Sequence, residues 1–235
     1  VTSSAQTPRA RYREQTRAEI KEIALRQLAE GGTEGVALTR IAKEVGLSGP
    51  ALYRYFASRD ALLTELIRDA YADLAAAVTA AAAALPAGTS PRARLRSLAA
   101  ACRGWAVEQP HRYLLLEGTP VPGYIAPPDT VDSARAVLGP FLPAFEAAAP
   151  SAAVRPVVEQ MRAWAERDAA VSRWAREQVT ARAEGAALAG SVFAWSHMHG
   201  AIGLEVSGQF EGMGHEGATL LMAQIDSLAD SFGLA

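Results

Sequence analysis

Pro50, Tyr53 and Arg54 are the residues whose types and spacing come nearest to a recognisable chemistry. They lie in the run GVALTRIAKEVGLSGPALYRYFASRDALL, residues 35–63. On a helix advancing about 100° per residue, Leu52 and Phe56 share one side, and Pro50 and Arg54 fall nearly opposite with Tyr53 on a flank. A proline, a tyrosine and an arginine make a poor solvated face but a good reading head. Arginine forks to guanine, and tyrosine offers a hydroxyl to phosphate and a flat apolar surface to bases or sugars. Arg59, in the first turn of the next helix behind a capping Ser58, suits a phosphate, because the free N–H groups there add to its charge.

Positioning these side chains requires two short helices joined tightly. The first is expected from Thr39, placed to cap it, through an apolar face of Ile41, Ala42 and Val45. Gly46 supplies the turn, since glycine takes a left-handed conformation without steric penalty. Leu47 then points back into the small core. Ser48 caps the second helix and Pro50 sits in its first turn, where a missing N–H costs nothing. This is a helix-turn-helix, whose second helix enters the DNA major groove. The competing reading is a generic helical hairpin whose aromatics are core.

The run TRIAKEVGLSGPALYRYFASRDALL resembles the DNA-binding signature of the TetR family of bacterial regulators, above all in LYRYF and the following SRDALL. The resemblance implies a three-helix DNA-binding head on a helical body that senses a ligand and dimerises. By position it places Thr39, Arg40, Ser48, Gly49, Pro50, Tyr53, Arg54, Tyr55 and Arg59 where that family touches DNA. Many members carry lysine where this chain has Arg59, which keeps the charge and changes the hydrogen-bond geometry. Two later segments, PVPGY within residues 111–131 and FAWSHMHGAIGLEVSGQF (193–210), resemble one subgroup named for a tryptophan, a histidine and a glycine. Trp195, His199 and Gly200 occupy those places.

Half of the 235 residues are hydrophobic, alanine is abundant, and alternating β-branched runs are lacking, so helix should dominate. A single cysteine excludes an internal disulfide and fits a reducing cytoplasm. No basic-then-apolar signal pattern stands at the N-terminus. The formal charge of −2 is unevenly spread: residues 1–70 carry 11 Lys/Arg against 9 Asp/Glu, and residues 71–235 carry 12 against 16. The sign suits a head that faces phosphates. Arg9, Arg11 and Arg13 follow a small polar start and read either as a solvated tail or as a basic arm reaching DNA beside the recognition helix. Helix 1 should run from about Tyr12 to Glu30 and stop at Gly31-Gly32.

Beyond the head, a helix from Arg59 to about Leu85 links it to the body, so that movement of one can shift the other. PAGTSP (86–91) breaks it, and Leu95, Leu98, Ala99 and Cys102 form the buried stripe of the next helix. Cys102 inside that stripe reads as a core thiol rather than a nucleophile. Pro120, Pro122, Gly123, Pro127 and Pro128 make a rigid loop of the kind that borders a site. Helices should resume at 131–148, where Pro140 and Pro143 kink or divide, and at 153–184. Residues 185–204 lack any charge, but their glycines and histidines suit a helix packed on every side rather than a membrane span.

An effector pocket is expected between the long helices and under the rigid loop, from Trp105, Tyr113, Glu117, Tyr124, Met161 and Trp164. A ligand with a basic nitrogen would pair with Glu117. An isologous dimer interface is expected from Trp195, His199, Gly200 and Gly203 with Leu221, Ile225 and Leu228, two helices doubled by symmetry into four. Enzyme classes are disfavoured: no GxSxG, HExxH, P-loop or GxGxxG occurs, and His197 and His199 point about 200° apart on a helix, so they cannot share a metal. The expectation is therefore an all-α chain of about nine to ten helices. Residues 1–10 form a disordered basic arm, 11–58 the helix-turn-helix domain, and 59–235 the ligand-binding and dimerisation domain. It would be a cytoplasmic homodimeric regulator, released from a near-palindromic double-stranded operator by a small-molecule effector and needing no cofactor. The alternative is a DNA-binding regulator that is architectural or gated by a protein partner.

Overall fold

A computed structural model describes residues 7–117 and 130–235. Among them are eleven α-helices and one 3₁₀ segment, with no strand. The chain divides into two compact units. The first comprises the described residues up to Ala70, and the second Tyr71–Glu117 with residues 130–235.

The first unit opens with α1 (Pro8–Gly35), in which Thr7 caps the start by accepting from the Ala10 N–H at 3.3 Å. Arg9 and Arg11 therefore lie on helical turns rather than in an extended arm, and the helix starts before the expected Tyr12. The expected stop at Gly31-Gly32 is present as an interruption, because Gly32 takes φ 61°, ψ −164°, a conformation a side chain would oppose. Three short helical elements follow: α2 (Leu38–Val45), α3 (Gly49–Leu52) and the start of α4 (Arg59–Ala83). Ile20, Ile41, Leu52, Leu62 and Leu66 are sealed in the core they share.

The remainder of α4 belongs to the second unit. It is joined there by α5 (Pro91–Glu108), α6 (Pro110–Glu117), α7 (Thr130–Leu138), a 3₁₀ segment (Gly139–Phe145), α8 (Arg155–Arg167), α9 (Ala169–Arg176), α10 (Glu184–Val206) and α11 (Gly217–Ser231). The expected break at 86–91 is there, and Ser90 caps α5. Pro140 and Pro143 turn the end of the α7 run into the 3₁₀ segment. The single helix expected over 153–184 is divided, because the Asp168 side chain accepts from the N–H groups of Ala170 (2.9 Å) and Val171 (3.3 Å) and starts α9. α10 is the central rod, packed by α5, α6, α8, α9, α11 and the 3₁₀ segment. Its close fit depends on glycine: a Cβ on Gly190 would stand 2.3 Å from the buried Phe145 ring. No helix of the described residues is long and apolar enough to cross a membrane.

Candidate nucleic-acid interface and effector site

In the first unit, Gly46 ends α2 at φ 75°, ψ 24°, and the Leu47 N–H returns to the Ala42 carbonyl at 2.8 Å. Ser48 caps α3 through the Ala51 N–H, 3.3 Å away. The helix proper is one turn long, and hydrogen bonds to carbonyls three and four residues back carry the coil on to Phe56. Leu52 and Phe56 are buried, whereas Pro50, Tyr53 and Arg54 are exposed, Tyr53 to 54 %. Ser58 caps α4 at the Ala61 N–H (3.0 Å).

Thr39 does not cap α2. The helix begins at Leu38 after Ala37, whose N–H is bound instead by the side-chain oxygen of Gln27 on α1 at 3.0 Å. Gln27 is buried and also donates to Glu44 at 3.2 Å. Thr39 is left exposed in the first turn of α2. Arg40 and Arg59 both donate to carbonyls of the segment after Gly32: Arg40 to Gly35 O and Arg59 to Thr33 O. Tyr55 is half-buried, with the Arg13 guanidinium 5.9 Å from its ring. Gly49 and Ser48 lie at the exposed or half-exposed start of α3.

In the second unit, residues from the two expected sites meet. The Tyr113 hydroxyl lies 3.4 Å from His199 Nδ1, and the Trp195 and His199 rings are 4.5 Å apart. The carboxyl of Glu117 rests on Gly203, where a Cβ would fall 1.7 Å from Oε1. Burial raises the Glu117 pKa and lowers that of His199, since desolvation penalises the charged form of each. Burial, aided by the charges of Glu117, Cys102 and Tyr71, raises the Tyr113 hydroxyl as well. Cys102 is the core thiol expected, its pKa pushed by burial to about 12. Trp105 and Met161 are half-buried against the core, with the Arg112 guanidinium 5.7 Å from the Trp105 ring. Trp164 is 37 % exposed on α8, and Tyr124 lies outside the described residues.

The dimer stripe expected on α11 is corrected by the packing. Leu221, Ile225 and Leu228 are buried within the chain itself, so they cannot also meet a partner. Gly203 is likewise covered from within, by Glu117, and Trp195 and His199 are half-buried. Gly200 is exposed, on a stripe of α10 with Val192, Ser196 and Leu204. An open cleft of about 500 Å³ lined by Thr79, Asp132, Arg135, Gly139 and Trp174 was not foreseen. Its sign in the sequence was weak, because Arg135 and Trp174 lie far apart in the chain and meet only in space, 5.9 Å from guanidinium to ring. Among the described residues no group of three or more His, Cys, Asp or Glu is arranged to hold a metal ion.

Residues 20–66 match bacterial regulatory proteins of the tetR family, and residues 95–228 match a tetracyclin repressor-like C-terminal domain. The chain is 47% identical over 136 residues to the HTH-type transcriptional regulator Rv1816 of Mycobacterium tuberculosis, an alignment covering 57% of this chain and 58% of that protein. It thus spans little over half the length of the curated relatives it matches first. A crystal structure of the regulatory protein SCO4313 superimposes with a TM-score of 0.76 at 42% identity, covering 95% of this chain and 100% of that one. FadR of Bacillus subtilis, solved with stearoyl-CoA, is 9% identical with a TM-score of 0.55 over 91% of this chain and 98% of its own, a likeness of fold alone. The C-terminal match extends over both the proline-rich segment and the Trp195–Gly200 segment, and with the N-terminal match it means that the chain belongs to the TetR family of bacterial regulators.

Proposed function

We propose that the protein is a sequence-specific DNA-binding transcriptional regulator of the cytoplasm, a homodimeric repressor released from its operator by a small molecule. The observation that carries this reading is the sidedness of α3. Over α3 and the coil that follows it, Leu52 and Phe56 are buried, while Pro50, Tyr53 and Arg54 stand in solvent on a capped helix-turn-helix. Thr39, Arg40, Ser48, Gly49, Tyr55 and Arg59 flank that face and are assigned to backbone contacts.

The effector site is assigned to the group around Tyr113, Glu117 and His199, with Trp105 and Met161 at its margin. Trp164, being exposed, is left out. The rings of Tyr113, Trp195 and His199 dominate this group, which suits a ligand that is largely apolar there. That FadR was solved with stearoyl-CoA supports small-ligand binding by this fold. The dimer interface is assigned to the exposed α10 stripe Val192, Ser196, Gly200 and Leu204, where small residues let a partner helix come close. The two body segments with Trp195, His199 and Gly200 support placement in the subgroup named for them.

Selection from random duplex DNA with the full-length chain tests the reading. A near-palindrome should be enriched, since an isologous dimer presents two identical heads. Compounds are then screened for release of that duplex. Failure to enrich any sequence overturns the proposal.

A further inference from the structure

The recognition element ends without the usual device. A helix leaves its last carbonyls without intrahelical partners, and a left-handed glycine commonly closes them. No glycine follows α3 before α4, and among the described residues no residue other than glycine takes a positive φ. The carbonyls of Gly49, Ala51 and Leu52 are met by N–H groups of residues 53–56, and those of Arg54 and Tyr55, in the coil beyond, are met by cations from α1. Arg17 Nη1 donates to Tyr55 O at 2.8 Å, and Arg13 Nη2 reaches Arg54 O at 3.5 Å. A cation also suits this end of the helix dipole.

Arg17 does more than bond the Tyr55 carbonyl. Its guanidinium lies 4.5 Å from the centre of the buried Phe56 ring, and Nη2 donates to Glu65 of α4 at 3.0 Å. Lys21, one turn further along α1, holds the same Glu65 at 3.3 Å and Asp69 at 2.8 Å. One planar side chain therefore touches the end of the reading coil, the aromatic that anchors it, and the following helix. A lysine ammonium can serve two acceptors but lacks the planar guanidinium that lies flat on a ring while its two Nη groups reach carbonyl and carboxylate.

We propose that Arg17 is a positioning residue for DNA recognition: it clamps the Tyr53–Phe56 coil onto α1 and α4 and so fixes the direction in which Tyr53 and Arg54 point, without itself touching DNA. The inference rests on the DNA-binding reading above. Its stakes are high because α3 proper has a single turn, which cannot hold its own end in place.

The test uses the full-length chain, R17Q and R17K, and the duplex that the parent protein selects. Both variants should bind that duplex about tenfold or more weakly, each head losing orientation. The slope of log affinity against log salt should stay that of the parent. A phosphate-contacting arginine behaves otherwise, since its loss lowers the slope by about 0.9 for each contact. In the free protein, amide hydrogen exchange should quicken at residues 53–56 in R17Q while the rest of α1 and α4 keeps the parent's rates. Parental affinity in R17Q overturns the proposal, and so does a loss restored by R17K with a reduced salt slope in R17Q. If the parent selects no duplex, the DNA-binding reading falls by itself. The exchange measurement then still decides the clamp, and unchanged rates at 53–56 refute it.

Discussion

Gly190 shows how much at the residue scale rests on a missing side chain. The Phe145 ring fills the place of its Cβ, and that ring is wholly buried against Phe232, 5.1 Å between centroids. Gly190→Ala should cost about 1–3 kcal/mol, because a sealed core can accept a methyl only by moving the ring. Urea unfolding checks it, and a stability equal to the parent's would mean the body yields more easily than its packing implies. Gly203 stands in the same relation to Glu117, which marks that carboxyl as seated on the backbone of α10 rather than reaching freely into solvent. The reading residues are of the opposite kind: Tyr53 and Arg54 are exposed and hold nothing in the fold together.

At the scale of elements, α1 and α4 are tied by Arg17 and Lys21 to Glu65. Burial works to raise the Glu65 pKa, and Lys21 and Arg17 more than offset it, leaving it below the ordinary 4.5. A carboxylate depressed in the folded state contributes stability that is present above its unfolded pKa and is lost as pH falls through the folded one. Acid should therefore loosen the first unit over the range below about pH 4.5, and E65Q should remove that part of the pH dependence. Urea midpoints of both proteins across this range check it, and identical pH profiles would contradict the assignment. Much of this level was legible in the chain. Gly46, Ser48, Ser58 and the buried pair Leu52 and Phe56 act through neighbours a few residues away, which spacing reveals. Thr39 misled, because α2 already begins at Leu38 and the N–H groups of Arg40 and Ile41 bond to the Ala37 carbonyl. Asp168 sits in a run that reads as helix, and only its side-chain geometry shows the new start. Leu221, Ile225 and Leu228 form one apolar stripe in sequence and structure alike, but periodicity does not say whether the cover is the same chain or a partner.

For the whole molecule, that distinction separates two sets of variants. Val192 and Leu204 are 40 % and 46 % exposed on α10, so V192E with L204E should give helical monomers that bind a full site poorly. L221E should instead unfold the body, since an unpaired carboxylate would be buried in the core. Sedimentation with circular dichroism tells them apart, and intact dimers of the double variant would place the interface elsewhere. The account as a whole turns on the exposed face of α3. The most direct measurement is the affinity of Y53A and R54A for the duplex that the parent protein selects, taken alongside their thermal unfolding. A lost base contact costs about 1–3 kcal/mol and a dimer makes each contact twice, so specific binding should fall by at least tenfold in each variant. Unfolding and dimerisation should stay those of the parent. Parental affinity in both variants would contradict the account, because it would leave the duplex read by some other surface.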